Sequence, residues 1–492
     1  MENTFKETKH SYMNIFLLIL FALQPIMDVL SFWLIELGKS TTVTLLLRML
    51  LFAATVLIGF LVSRHKWIYF VTAGVLISFW AIHYWNCYRI GYPGLLVDVS
   101  NYFRLIQTPV FILAFLSIFR YYGDSLLPVR KYILMNYGII LLVLLLSVLT
   151  GTDPHTYSGD QIGVIGWFYN GNTQSAIITM LVPLTIYTAY CSKKKWFFIV
   201  TTTIGFANLF FTGTRVTYFA VFIITGCFLF ALVVNKCKIW FYYMVPLVLA
   251  IVCASCYTLS PMYERLSNYN NHVHKQQEQA DSQMPEAEKP TGEDEAPSDD
   301  VLEKYRVIFE SLPRYQPMIE KFGLNAVLKQ LNYSTNMSEL NNARLMKNTY
   351  NYLLFNQQDT MTKLFGMHLE MEYCGSENYD AENDLLGIFF LYGYVGLTLY
   401  LLFIAGFVIY FLLSLIRGFQ KVFTLEFACV VASLCMAVIT FIFTAGMLRR
   451  PNGSFYLSLF IAYGCYLIER SGVWDKGKAL LVDKKQKEIG VK

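Results

Sequence analysis

Charge is what this sequence has least of. Only 15% of its 492 residues are Asp, Glu, Lys or Arg, against about a quarter in a soluble globular chain. Runs such as Tyr132–Leu149 and Tyr218–Val234 carry none at all. Each is long enough to cross a hydrocarbon layer of about 30 Å. A backbone in lipid must satisfy its own hydrogen bonds, so such runs are expected to be helices. The first apolar run lacks a small-residue cleavage site and is read as a retained span, not a removed signal peptide. Metal-ligand spacing is also missing. Most of the ten cysteines (Cys191, Cys227, Cys253, Cys256, Cys429, Cys435 and Cys465 among them) fall in apolar runs, as small core residues do. Only Cys87 and Cys374 fall in predicted outer loops, where a disulfide between them stays open. No internal repeat of the transporter kind is visible. The net charge of +5 is no nucleic-acid signal, because the basic residues sit in short clusters between apolar runs.

What is there is a succession of about twelve predicted spans, near 13–37, 42–62, 67–86, 101–119, 132–150, 172–191, 196–212, 214–234, 239–258, 385–413, 424–446 and 454–469. Alternate connections hold the basic clusters: Lys6 and Lys9, Arg64 and Lys66, Arg120 with Arg130 and Lys131, Lys193–Lys195, Lys236 and Lys238, Arg417 and Lys421, and the tail from Arg470. By the positive-inside rule this set is cytoplasmic. Both termini are then expected inside and residues 259–383 outside. The organisation predicted is a membrane bundle of nine spans (1–258), an extracytoplasmic loop (259–383), a bundle of three spans (384–470) and a basic cytoplasmic tail (471–492).

Within the large loop, residues 272–300 are rich in Gln, Glu, Asp, Pro and Ser and are expected to be disordered. The remainder, 301–383, reads as helical. Ser298-Asp299-Asp300 is a plausible N-cap before Leu302, Tyr305, Ile308, Phe309 and Leu312 at helical spacing, with Pro313 as the stop. A second helix is predicted over Asn341–Phe355 and a weaker pattern covers Met318–Leu331. The fold class is therefore an all-α polytopic membrane protein with one large, partly helical extracytoplasmic loop.

The ionisable residues in or beside the spans gather toward the predicted outer leaflet: Asp28, Arg48, His83, Arg104, Arg215, Glu382, Asp384, Arg449 and Arg450. A charge at bilayer depth costs at least about 2.5–3.5 kcal/mol, so this gathering points to a site at the outer membrane–water boundary. It argues against a transporter, whose coupling charges lie near the midplane. The blander reading, a side chain reaching to the interface, is preferred for Arg48 and His83. Asp28 is too short for that.

Several short motifs, in order, resemble those of the O-antigen ligase/polymerase family of bacterial envelope glycan enzymes. They are Gly166-Trp167-Phe168-Tyr169-Asn170-Gly171-Asn172 before span six; Thr212-Gly213-Thr214-Arg215 at span eight; Leu340-Asn341-Asn342-Ala343-Arg344-Leu345-Met346-Lys347 in the large loop; Leu364-Phe365-Gly366; and Glu382-Asn383-Asp384-Leu385-Leu386 followed by Gly393-Tyr394-Val395-Gly396. The resemblance covers roughly residues 150–400. Many family members carry a His where this chain has Glu382.

The resemblance implies a fold similar to the C-type glycosyltransferases. It also implies transfer of a glycan from an undecaprenyl-pyrophosphate carrier to an acceptor hydroxyl on a glycan or lipid, with no cofactor and no metal. Arg215, Arg344 and Lys347 would hold the pyrophosphate, since cationic donors bind phosphate oxygens and remain charged near lipid. Arg215 would also act in catalysis, with Glu382 or Asp384 as the base. Asn170 and Asn172 would contact glycan or acceptor. Other readings stay open for each group: a headgroup anchor for Arg215, a solvated helix face for Arg344 and Lys347, and a helix start for the two acids. Arg449 and Arg450 would bind lipid phosphates or merely anchor the chain. Polymerase and ligase are not separated, and a flippase of lipid-linked oligosaccharides is the alternative class.

Overall fold

The computed structural model describes residues 2–283, 299–444 and 446–474. Nine helices open the chain: α1 (Glu2–Glu36), α2 (Thr42–Val62), α3 (Lys66–Arg89), α4 (Leu95–Tyr122), α5 (Val129–Leu149), α6 (Gly171–Cys191), α7 (Lys195–Phe211), α8 (Arg215–Val234) and α9 (Phe241–Ser255). The connecting region holds α10 (Pro261–Gln283), α11 (Asp299–Glu310), α12 (Gln316–Phe322), α13 (Leu324–Gln330), α14 (Met337–Leu340), α15 (Ala343–Asn356) and α16 (Thr360–Phe365). It also holds a two-residue hairpin, β1 (Tyr373–Cys374) with β2 (Glu377–Asn378). Three helices close the chain: α17 (Asp384–Val422), α18 (Leu425–Phe443) and α19 (Pro451–Arg470).

A helix stands at each of the twelve segments predicted as spans. Among the described residues, nine are long and apolar enough to cross a membrane: α1 to α6, α8, α17 and α18. The apolar helices α7 and α9 are shorter, at 17 and 15 residues. The remaining one, α19, is buried almost throughout from Gly453 to Cys465, so protein rather than lipid surrounds it. Its hydroxyls bond to backbone: Ser458 donates to the Thr108 carbonyl at 3.1 Å and to Ser454 at 2.6 Å. With α4, α6 and α18 it forms the centre of the bundle, while α2, α3 and α17 are the most exposed spans.

The connecting region has its own apolar core. Tyr305, Ile308, Phe309 and Leu312 pack with Met318, Leu328, Met346, Tyr350 and Tyr379. The helices predicted after Ser298 and over 341–355 are present as α11 and α15. Gly323, at φ +84°, divides the weak 318–331 pattern into α12 and α13. Residues 272–283, expected to be disordered, instead continue α10. Ser260 caps that helix by accepting from the Tyr263 amide at 3.1 Å. Gln276 and Gln277 then dock it on α14, accepting from Asn341 Nδ2 at 2.6 Å and from the Met337 amide at 2.8 Å. Gln and Glu favour helix when such contacts exist. Residues 284–298 of that segment lie outside the described residues.

Other expectations also change. Cys87 lies buried in α3 and Cys374 donates weakly to the Pro317 carbonyl; both are free. Arg48 and His83 do not reach for the interface. Arg48 pairs with Asp28 at 2.5 Å, tying α2 to α1, and Asn452 of α19 approaches the same carboxylate at 3.3 Å. His83 pairs with Asp98 of α4 at 3.0 Å. A partner within reach satisfies a buried charge more cheaply than a long excursion to water.

Two motif glycines are explained by backbone crossing. The chain at 364–366 passes against the kink that splits α17 at Gly393 (φ +66°). A Cβ on Gly366 would lie 2.1 Å from the Leu391 carbonyl oxygen, and one on Gly393 would lie 2.4 Å from that of Leu364. Only glycine permits this approach. The crossing anchors the connecting region to the bundle.

Candidate functional site

The turn before α8 is built by its neighbours. Thr214 caps the helix, accepting from the Thr217 amide at 3.2 Å. Gly213, at φ +78°, takes a conformation that side chains rarely adopt, and a Cβ there would meet Pro261 at 2.9 Å. The 151–170 loop straps over this turn: Thr156 donates to the Thr212 carbonyl at 2.6 Å and Val164 to that of Phe211 at 2.9 Å. Arg215, first residue of α8, is thus held at a helix N-terminus, exposed, with no ion pair among the described residues. Anions are favoured at such an end. Tyr157 on the strap lies within the field of Arg265, Arg215 and Arg344; burial still pushes its phenol above the usual range. Arg265 is engaged, lying over the Tyr157 ring and 2.9 Å from Asp160.

On α15, Asn342 is the N-cap and accepts from the Arg344 amide at 3.0 Å. Arg344 and Lys347, three residues apart, share a helix face, and both meet Glu382. Lys347 Nζ lies 2.8 Å from one carboxylate oxygen and Arg344 Nε 3.6 Å from the other. Two cations and one acid from two of the quoted motifs therefore converge.

Asp384 has a different surrounding. It is fully buried, and its carboxylate accepts from the amides of Gly446, Met447 and Leu448, the latter two at 2.8 and 2.9 Å. It sits at the start of α17 beneath the N-cap Asn383. The carboxylate shapes the 446–448 turn and so delivers the next residue, Arg449. That guanidinium donates to Asp380 at 2.7 Å and to the Ala381 carbonyl at 2.6 Å, and lies 3.7 Å from Asp384. It rests flat on Gly387, where a Cβ would come within 2.2 Å of its central carbon.

Sequence reading missed Asp380 and Glu372. Burial pushes the Asp380 carboxyl up, but Arg449 against it, with Arg450 and Lys347 further off, brings it below the usual range. Glu372 is buried with neither oxygen hydrogen-bonded among the described residues. Burial first, then the charge of Asp380, raise it well above the carboxylate range against the pull of Arg449 and Lys347. It is therefore held neutral. Nothing periodic marks either residue. The one available signal for Asp380 was its place two residues before Glu382.

Asn170 caps α6 by accepting from the Thr173 amide at 3.0 Å, and Asn172 is exposed as the second residue of that helix. Neither touches Glu382. The start of α6 still borders the Asp384-held turn, because a Cβ on Gly446 would lie 2.4 Å from the Thr173 hydroxyl. For metals, the described residues offer one spaced group, His83, Cys87 and Asp98, whose ligand atoms lie within 4.8 Å of one another. Its hydrogen bonding reads otherwise. His83 Nδ1 donates to the Phe365 carbonyl at 2.7 Å and Nε2 lies 3.0 Å from Asp98, so both ring nitrogens are already engaged within the fold. Trp80 completes the Asp98 partners at 2.8 Å.

The family model described as O-antigen ligase like membrane protein matches residues 10–470, nearly the whole chain. Comparison with curated proteins and with solved structures finds no match.

Proposed function

The chain belongs to the O-antigen ligase like membrane protein family, and from that premise we propose that it moves a glycan from an undecaprenyl-pyrophosphate carrier to an acceptor hydroxyl at the outer face of the membrane. Membership supports a membrane glycan ligase or polymerase in general. The observation that carries the finer reading is the meeting of Arg344, Lys347 and Glu382.

Without carrier, the two cations neutralise Glu382. A diphosphate is the stronger partner for an arginine fork, so its arrival draws Arg344 and Lys347 away. The Glu382 carboxylate is then free beside the sugar. The acceptor oxygen attacks the anomeric carbon, its proton passes to Glu382, and the carbon–oxygen bond to the diphosphate breaks. The diphosphate departs on its lipid, its charge held by Arg215, Arg344 and Lys347. Asp384 serves by fixing the turn that carries Arg449 and so is a positioning residue in this scheme. Asn170 and Asn172, at the start of α6, are assigned to glycan or acceptor contact in this scheme.

The test is complementation of a host lacking this gene with Arg215→Ala and Glu382→Gln at checked protein levels. Loss of long chains, with single lipid-linked repeats accumulating on the outer leaflet, supports a polymerase. Finished chains stranded on the carrier support a ligase. Wild-type glycan from both variants removes these residues from the site. Repeats trapped on the inner leaflet in the null strain would make the protein a flippase.

A further inference from the structure

We propose that the pocket between α4 and the 446–450 turn is a second anion site, which holds a phosphate or diphosphate carried by the acceptor. This rests on the glycosyl-transfer reading above and adds to it where the second substrate is held.

The pocket is lined by Asn101, Arg104, Asp380, Asp384, Arg449 and Arg450, among others, and encloses about 120 Å³. Sites for drug-sized ligands run to about 300–1,000 Å³, so this one suits a compact ionic group and not a sugar repeat. Three guanidinium groups face two carboxylates, which leaves a net positive charge. Both carboxylates are already committed: Asp384 to three amides and Asp380 to Arg449. Arg104 and Arg450 have no hydrogen bond or ion pair from their side chains among the described residues. Arg450 and Arg449 are the like charges that bear on Arg104. Arg104 also lies inside α4, a membrane-spanning helix. Converging cations at that depth are costly without a full counter-charge; Asp380 acts on both Arg104 and Arg450 but is hydrogen-bonded to Arg449, so one carboxylate is shared among three guanidinium groups.

The pocket adjoins the Glu382 cluster without merging into it. Lys347 pairs with Glu382 on one side, and its charge reaches Asp380 and Glu372 on the other. A reaction between two lipid-borne glycans brings two anionic headgroups to one acceptor hydroxyl. Two cationic pockets flanking one base match that requirement; a single pocket would force the headgroups to repel each other.

Farnesyl diphosphate is the probe, titrated by calorimetry into the full-length protein in phosphatidylcholine nanodiscs. About two equivalents are expected to bind, with inorganic pyrophosphate competing for both and farnesol for neither. Arg104→Gln/Arg450→Gln should keep one, Arg215→Gln/Arg344→Gln the other, and Arg104→Lys/Arg450→Lys should keep both. If the Gln pair fails to fold, Arg450→Gln alone, at the partly exposed edge of the pocket, is expected to weaken one equivalent at least tenfold. Two undiminished equivalents in the Gln variants of Arg104 and Arg450, or one in the wild type, overturn the proposal. So does phosphatidylglycerol in the disc displacing only the second equivalent, since that marks a lipid-headgroup site. If the Arg215 and Arg344 variant alone keeps two, the carrier assignment falls and this pocket stands.

Discussion

Lys347 Nζ lies 2.8 Å from Glu382 Oε1, joining the face of α15 to the segment that leads into α17. Glu382 is about one-third exposed and its other partner, Arg344, nearly half, so solvent screens the Arg344–Glu382 contact and it adds little to stability. Its place between a cationic helix face and the bundle gives it more weight in chemistry than in folding.

Glu382→Gln should therefore lower transfer by about 10²–10⁴-fold, the usual contribution of a positioned base. Its melting temperature should stay close to wild type. Lys347→Met should raise the carrier concentration needed for half-maximal rate more than it lowers the maximal rate. Initial rates across a carrier series check both, and full activity of Glu382→Gln would remove it as the base.

Asp384 is a different kind of acid. Asp384→Asn leaves three amides facing a group that cannot accept from them all, and strips Arg449 of one counter-charge. Breaking a buried, charge-assisted network of this kind costs about 3–5 kcal/mol. Thermal unfolding in detergent should show a large drop in Tm; an unchanged Tm would contradict the role given to this carboxylate.

Gly387→Ala would push a methyl into the Arg449 guanidinium, whose nearest atom would be 2.2 Å away. The guanidinium is a side-chain end and can swing off, but only by leaving Asp380 and Ala381. Overpacking of this kind costs about 1–3 kcal/mol. In an Arg449→Ala background the same substitution should cost almost nothing, because contacting residues are not additive.

Glu372 predicts a pH dependence. Its folded carboxyl titrates well above its unfolded value of about 4.3. The folded state thus retains a proton that the unfolded state loses, and stability falls as pH rises above the unfolded pKa. Glu372→Gln copies the neutral acid and should flatten that decline, leaving the variant more stable than wild type at alkaline pH. Tm measured from pH 5 to 9 decides it, and parallel curves would show that Glu372 is not held neutral.

The membrane helices were legible because a charge-free run has few alternatives in lipid. The loop helices α11 and α15 were legible from apolar spacing and a capping residue. α10 was not: its Gln-rich sequence has no apolar stripe, and its helix is confirmed by contacts to α14 far along the chain. The convergence of Arg344, Lys347 and Glu382 was foreshadowed by motifs. Asp380 and Glu372 carried no such mark, and Asp384 looked like Glu382 on paper although its surroundings share nothing with it.

By itself the sequence determined the apolar helices, their membrane character and the loop helices α11 and α15, since these follow from local hydrophobicity, apolar spacing and capping. Tertiary structure alone decided which charges meet. Asp28 found Arg48, His83 found Asp98, Asp380 found Arg449, while Arg104 and Arg450 came to one pocket with no ion pair of their own among the described residues. An ion pair depends on distance in space, falling off within ångströms, and no local pattern in a chain encodes which distant residue will be within reach.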